Sequence, residues 1–189
     1  NSGILRLGSG SSAGNVGAGA IINNGQLAAD RSTDFSLSNA ISGTGSLNKL
    51  GANSLTLTGL ATYTGSTAVA GTLIFKNDAA PLTVGFTGNG ALVIEPSSTS
   101  FTSSLATNYT YGSSLTSLTL GKAGNASHIT IGSTTFINGP IRIYADDISI
   151  NYQVTASNDS LYLFASGDVT QAASVIAQSL ALQGAGNFN

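Results

Sequence analysis

The chain has 189 residues, of which 41% are hydrophobic and only 7% are charged, and its net charge is −2. Its six Lys and Arg residues are scattered singly, which argues against nucleic-acid binding and against a polybasic membrane contact, because both need clustered cations. Cys is absent, so a disulfide framework and a thiolate metal site are excluded. The apolar and β-branched content is too high for a disordered chain.

Apolar residues alternate with Ser, Thr, Asn and Gly along most of the chain, which predicts short β-strands bounded by turn residues. The stretch 168–183 has a helical alternative, but its β-branched residues and flanking glycines favour a strand. In chain order, the predicted strands cover 3–8, 19–24, 34–41, 45–51, 54–59, 66–71, 72–77, 82–86, 91–96, 114–121, 127–132, 140–145, 147–156, 160–169 and 174–184.

Strand signals at this spacing fit a β-sandwich, a β-barrel or a β-solenoid. Three features favour the solenoid: 24 Gly against 3 Pro, the absence of Trp, and a degenerate unit in which Gly or Asn precedes x-L-x-L/I. At roughly 20 residues a coil, an all-β parallel β-helix would have about nine coils and a length on the order of 40 Å. Inward apolar residues would then form ladders of like on like.

A long motif occupies residues 25–75. It reads ISGTGSL at 41–47, then K-x-G-x-x-x-L-T-L-T-G at 49–59, and ends with TYTGSTAVAGTL at 62–73. This motif resembles the autotransporter-associated β-strand repeat of bacterial passenger domains. The departures from the family pattern are small: Leu50 stands where Thr is usual, Asn53 where Gly is usual and Ala68 where Thr is usual.

Residues 114–189 are similar to a filamentous-haemagglutinin-type array, with "GPIRIYADDISI" followed by "GDVT" and "GAGNFN". Residues 76–113 match neither pattern closely. The two resemblances imply a right-handed parallel β-helix in a secreted or surface-anchored bacterial adhesin exported by type V secretion. They carry over no catalytic motif, since the consensus residues of such repeats serve turns and core ladders.

The organisation expected from these patterns is a single β-helix over 1–189. The chain has no Met and opens directly on a strand-like run, so we interpret it as an internal segment of a larger protein. The absence of Cys suits export in an unfolded state. Residues 97–113 are predicted to form a loop excursion from the coil.

Acidic residues raise the alternative of an extracellular carbohydrate-active β-helix enzyme. Asp146 and Asp147 form the only acidic pair, but adjacent strand residues point to opposite faces, and in a turn they would cap backbone N–H groups. Asp168 is interpreted as a turn residue and Arg142 as an outward side chain. The enzyme alternative requires these residues and Glu95 to converge within about 10 Å.

The only histidine, His128, is predicted to lie at the start of a coil. One histidine cannot make a His-based metal site, and the nucleophile-elbow, Walker and calcium-roll motifs are missing. The sequence therefore predicts no catalytic residue, no metal and no cofactor.

Tyr109 and Tyr111 lie in "NYTYG", within the predicted excursion. Long loops often carry binding residues, and paired tyrosines can stack on sugars or on a partner's aromatic rings. They are the candidate ligand contacts, against the alternative that both rings lie flat on the rod.

Together these features predict an extracellular or cell-surface structural and adhesive segment. Its expected partner is a glycan or protein on a host or neighbouring cell, or further copies of itself in a fibre. Membrane contact would come only through parts of the protein outside this segment.

Overall fold

A computed structural model describes residues 3–81 and 85–189. In these ranges the chain forms strands, turns and bends without any helix, and therefore no helix that could cross a bilayer. Every strand pairing is parallel, and the strands stack in about nine turns. The expected all-β parallel β-helix is confirmed, and we call each turn of it a coil.

The described strands are numbered in chain order. They are β1 Ile4–Ser11, β2 Ile21–Ile22, β3 Gln26–Arg31, β4 Phe35–Leu37, β5 Ile41–Ser42, β6 Ser46–Lys49, β7 Ser54–Leu57, β8 Thr67–Val69, β9 Thr72–Lys76, β10 Gly85–Gly88, β11 Ala91–Glu95, β12 Leu105–Thr107, β13 Thr110–Tyr111, β14 Ser117–Leu120, β15 Ile129–Ile131, β16 Thr135–Ile137, β17 Ile141–Ala145, β18 Ile148–Ile150, β19 Val154–Ala165, β20 Val169–Gln171 and β21 Val175–Gly184.

Each coil visits three faces. The first face stacks β1, β3, β6, β8, β10 and β13, and the second runs from β4 through β7, β9, β11, β14 and β17 to β19. The third face holds the pair β2 and β5 at one end and the four strands β12, β15, β18 and β20 at the other. The long strands β19 and β21 turn a corner, because the first part of β19 pairs with β16 and its second part with β17.

Inward side chains form continuous ladders because the parallel register places equivalent positions of successive coils on one another. On the second face, Leu73 pairs with Leu92 and Leu92 with Leu118, and all three are completely buried. The ladder continues to Ile141 and Leu161. This part of the core is thus a narrow column of leucine and isoleucine along the axis.

Asn and Asp side chains bind one coil to the next at the corners. Asp34 Oδ1 accepts a hydrogen bond from the Ser54 backbone N–H at 2.7 Å, and Asp78 Oδ1 accepts one from Ser98 N–H at 2.7 Å. Buried Asn39 donates from its amide to the Gly17 and Gly19 carbonyls. These contacts satisfy backbone groups that the strands leave unpaired where the chain bends.

Glycines stack where the third face meets the first. A Cβ on Gly45 would lie 2.3 Å from the Gly25 carbonyl oxygen, and one on Gly65 would lie 2.3 Å from the Gly45 carbonyl oxygen. Gly43 also has a φ of +106°, a backbone angle that residues with a side chain rarely adopt. The G-T-G of the repeat motif therefore reflects close backbone approach between coils.

The strand predictions hold over most of the chain. Residues 175–184 form β21, so the strand interpretation of that region is confirmed over the helical one. The predicted strands at 147–156 and 160–169 are instead divided differently: β18 ends at Ile150, and β19 runs unbroken from Val154 to Ala165. The prediction at 82–86 lies partly outside the described residues.

Four strands were missed: β3, β12, β13 and β16. Two of them, Leu105–Thr107 and Thr110–Tyr111, lie within the predicted excursion at 97–113. They pair with β15 and β10, so this stretch contributes strands to two faces of the solenoid. The coil that contains this stretch is nevertheless longer than the one before it. Leu92 pairs with Leu118, which is 26 residues later, whereas Leu73 pairs with Leu92, which is only 19 residues later.

A cavity in the leucine ladder tests the packing. We expect Leu92→Ala to lower the free energy of unfolding by about 2–5 kcal/mol, because Leu92 is completely buried between two leucines. The neighbouring Val93→Ala is the matched control. It also removes methyl groups from this strand, but Val93 is only half-buried. Urea unfolding followed by circular dichroism measures both. Equal losses in the two variants would contradict the ladder.

Candidate functional site

The two candidate tyrosines lie in an aromatic cluster at the long coil. Tyr109 is 6% exposed, and its hydroxyl donates to the Pro81 carbonyl at 2.9 Å. Tyr111 is half-buried and stacks on Phe86, with ring centroids 5.9 Å apart and planes 16° from parallel. Phe86 also meets Tyr109 edge-on at 5.4 Å and Phe75 edge-on at 5.8 Å. Ligand binding by these rings stays a prediction, to which the structure adds a packing role.

Register explains this placement. Tyr111 pairs with Phe86, which pairs with Thr67, and Thr67 with Leu47, so Tyr111 belongs to an inward row of the first face. Burial raises the pKa of Tyr109 to about 12, and it raises the pKa of Tyr111 as well. Both phenols are therefore held in their neutral form.

The lysine of the repeat motif is inside the solenoid. Lys49 is completely buried in the inward row between Ala29 and Val69. Its ammonium reaches the corner, where it donates to the Leu50 carbonyl at 2.7 Å and to the Gly51 carbonyl at 3.0 Å.

Two further acceptors complete the contacts of this ammonium. The Asn53 side-chain oxygen lies 3.1 Å from Nζ, and the Ala70 carbonyl of the next coil lies 3.2 Å away. Burial lowers the pKa of Lys49, and the carboxylates of Asp30 and Asp34 partly offset that effect. Lys49 therefore caps a corner and links two coils, with its aliphatic stem in the core.

The acidic pair lies in the turn between β17 and β18. Asp147 Oδ1 accepts the backbone N–H of Asp168 at 2.7 Å, and Asp168 Oδ1 accepts that of Asn187 at 2.9 Å. Asp146 Oδ1 accepts the hydroxyl of Ser166 at 2.7 Å. The turn interpretation of these residues is the one that the structure shows.

The other residues of the enzyme alternative take separate contacts. Glu95 ends β11 and lies 3.7 Å from the Lys76 ammonium. Arg142 points outward from β17 over the ring of Tyr162. His128 precedes β15, and its Nδ1 lies 3.8 Å from Asp147 Oδ2 of the next coil. Within 3–81 and 85–189, no three His, Asp or Glu side chains gather in an arrangement that could hold a metal ion.

An outward aromatic ladder on the second face was missed by the sequence reasoning. Tyr144 of β17 stacks on Phe164 of β19, with centroids 4.4 Å apart and planes 3° from parallel. Tyr162 lies beside Phe164 at 6.3 Å, also within 3° of parallel, and the Arg142 guanidinium carbon is 4.9 Å from the Tyr162 ring centroid. The sequence signal for this ladder is the pairing of "RIY" at 142–144 with "YLF" at 162–164, which brings their aromatic residues together.

Comparison with known proteins yields no relative. No family model, no curated protein and no solved structure matches the chain.

The Lys49 corner makes a specific prediction for stability. Lys49→Met keeps the buried stem but removes the ammonium from four oxygen acceptors, so we expect a loss of about 1–3 kcal/mol in the free energy of unfolding. Lys76→Met is the control, because the Lys76 ammonium is exposed and its one ion-pair partner in the described structure, the Glu95 carboxylate, is 3.7 Å away. Chemical unfolding at neutral pH compares the two. A Lys49→Met protein as stable as the control variant would overturn the capping role.

The buried phenol predicts an alkaline limit to stability. Tyr109 has an ordinary pKa of 10.0 and a folded-state pKa of about 12, so the unfolded chain releases this proton first. Its contribution to stability is therefore complete below pH 10 and declines as the pH rises from 10 to about 12. We expect Tyr109→Phe to flatten this decline, while Tyr152→Phe, at an exposed tyrosine, leaves it unchanged. Unfolding midpoints between pH 9 and 12 measure the slopes, and identical slopes in all three proteins would refute the assignment.

Proposed function

We propose that this chain is a structural and adhesive β-helical segment of a large bacterial protein displayed outside the cell. The observation that carries the proposal is the continuous stack of about nine parallel coils, in which ladders of buried leucine and isoleucine run along the axis. Such a stack makes each coil depend mainly on its neighbours, and it yields an extended surface rather than a single enclosed pocket.

Its side faces support the adhesive part of the proposal. Outward positions of the third face carry Ser and Thr, as in the row Thr130, Ser149 and Thr170. Repeated polar groups at the spacing of adjacent coils suit weak contacts that add through multivalency. The repeat motif at 25–75 and the absence of Cys support export to the cell surface.

Surface display is tested on intact cells of the source organism. We expect antibodies raised against the folded chain to label unpermeabilised cells, and mild external protease to remove the label. A cytoplasmic protein stained in parallel serves as the control. Labelling that appears only after permeabilisation would contradict the proposed location.

Adhesion is tested with beads coated with the purified chain. We expect folded chain to retain beads on a cell layer under flow, and heat-denatured chain at equal coating density to release them, because the contacts depend on the ordered faces. Equal retention of both preparations, or of neither, would contradict an adhesive function.

A further inference from the structure

A groove runs along the corner that joins the second and third faces, next to the aromatic ladder. Its volume is about 370 Å³, within the range of small-ligand sites. One side is formed by Tyr144, Phe164 and Gln183 from three successive coils, and one end by the turn at 122–126. The groove therefore runs along the axis across several coils.

Small residues at the strand ends create the space. Ala145 pairs with Ala165, and Ala165 with Gly184, so one row of the lining has no side chain beyond a methyl group. A Cβ on Gly184 would lie 1.5 Å from the Ala165 carbonyl oxygen, so the backbones are in close contact there. The groove is thus built by the register of rigid strands.

The aromatic wall is fixed before any ligand arrives. Tyr144 and Phe164 stack at 4.4 Å, and Tyr162 and Arg142 extend the same outward layer. Because these side chains hold one another, little rotamer freedom remains to be lost on binding. Tyr144 and Phe164 both line the groove, so their rings give this wall an apolar surface.

The described lining of the groove holds a single charged residue, and that residue is already hydrogen-bonded to the protein. Lys122 is the only charged residue among the described lining residues, and its ammonium donates to the Pro96 carbonyl at 3.0 Å. The nearby Asp146 carboxylate accepts the hydroxyl of Ser166. Asn125 is buried and donates to the Tyr144 carbonyl at 2.8 Å. Apart from the Lys122 ammonium, which already donates to a carbonyl, the described lining is uncharged, so most of its contacts suit a neutral ligand.

We infer that this groove binds a neutral saccharide of about one or two sugar rings. A sugar combines an apolar C–H face, which suits the Tyr144 and Phe164 rings, with hydroxyls, which suit the Tyr144 hydroxyl and the Gln183 amide. This inference rests on the proposed adhesive function and names the ligand class for it. The described lining of the groove includes neither Tyr109 nor Tyr111.

The test begins with the full chain on an array of defined neutral and acidic oligosaccharides. We expect binding to neutral glycans that persists at high salt, since no ion pair contributes. For the best-bound glycan, we expect Phe164→Ala to weaken binding about 10-fold and Gln183→Ala to weaken it less. Phe136→Ala is the matched control, because Phe136 is an outward aromatic residue on another strand, and it should change affinity less than about 2-fold.

A measurement on the wild-type chain keeps the test informative if Phe164→Ala folds poorly. Saturation transfer from aromatic protons to the bound glycan should be strong, and Tyr144→Phe should retain it while lowering affinity. Binding to no neutral glycan, binding only to acidic glycans that salt abolishes, or unchanged affinity in folded Phe164→Ala would each overturn the assignment. If coated beads still adhere to cells in those cases, only the saccharide site is refuted and the adhesive function stands.

Discussion

The parallel register between coils is the constraint on which the rest of the structure depends. Once Leu73, Leu92 and Leu118 are aligned by backbone hydrogen bonds, every inward position stacks on its equivalent, and the core becomes a set of ladders. A shift of one residue would turn each ladder outward. The corners must therefore hold the register as firmly as the strands do, and this explains why their polar side chains bond to a neighbouring coil.

Lys49 and the aspartates both satisfy backbone groups that are left unpaired at the corners, and they do so with opposite charges. Where carbonyl groups converge, as after β6, an ammonium donates to several of them; where an N–H group is left unpaired, as at Ser54 or Asp168, a carboxylate accepts from it. Each group also contacts the neighbouring coil. The few charges of this chain thus include several that join coils together.

Sequence reasoning captured the solenoid because period-2 alternation and recurring glycines are imposed by the inward ladders. It missed Leu105–Thr107 and Thr110–Tyr111 because strands of two or three residues carry too few positions to show a period. Their extended state is dictated by the adjacent coils. It also could not place Lys49 inside, since an inward lysine satisfied by carbonyls has the same local pattern as an outward one.

The same reasoning shows why recognition should be sought on outward positions. Inward residues such as Leu161 and Ile143 are constrained by the ladder. The outward residues that follow them, Tyr162 and Tyr144, are not required for it. At such positions, aromatic residues are aligned over two coils and lie beside a groove of small residues. Packing of the core does not explain why they are there. Register alone brings them together, so a solenoid can assemble a binding surface from residues about 20 positions apart in sequence without changing its core.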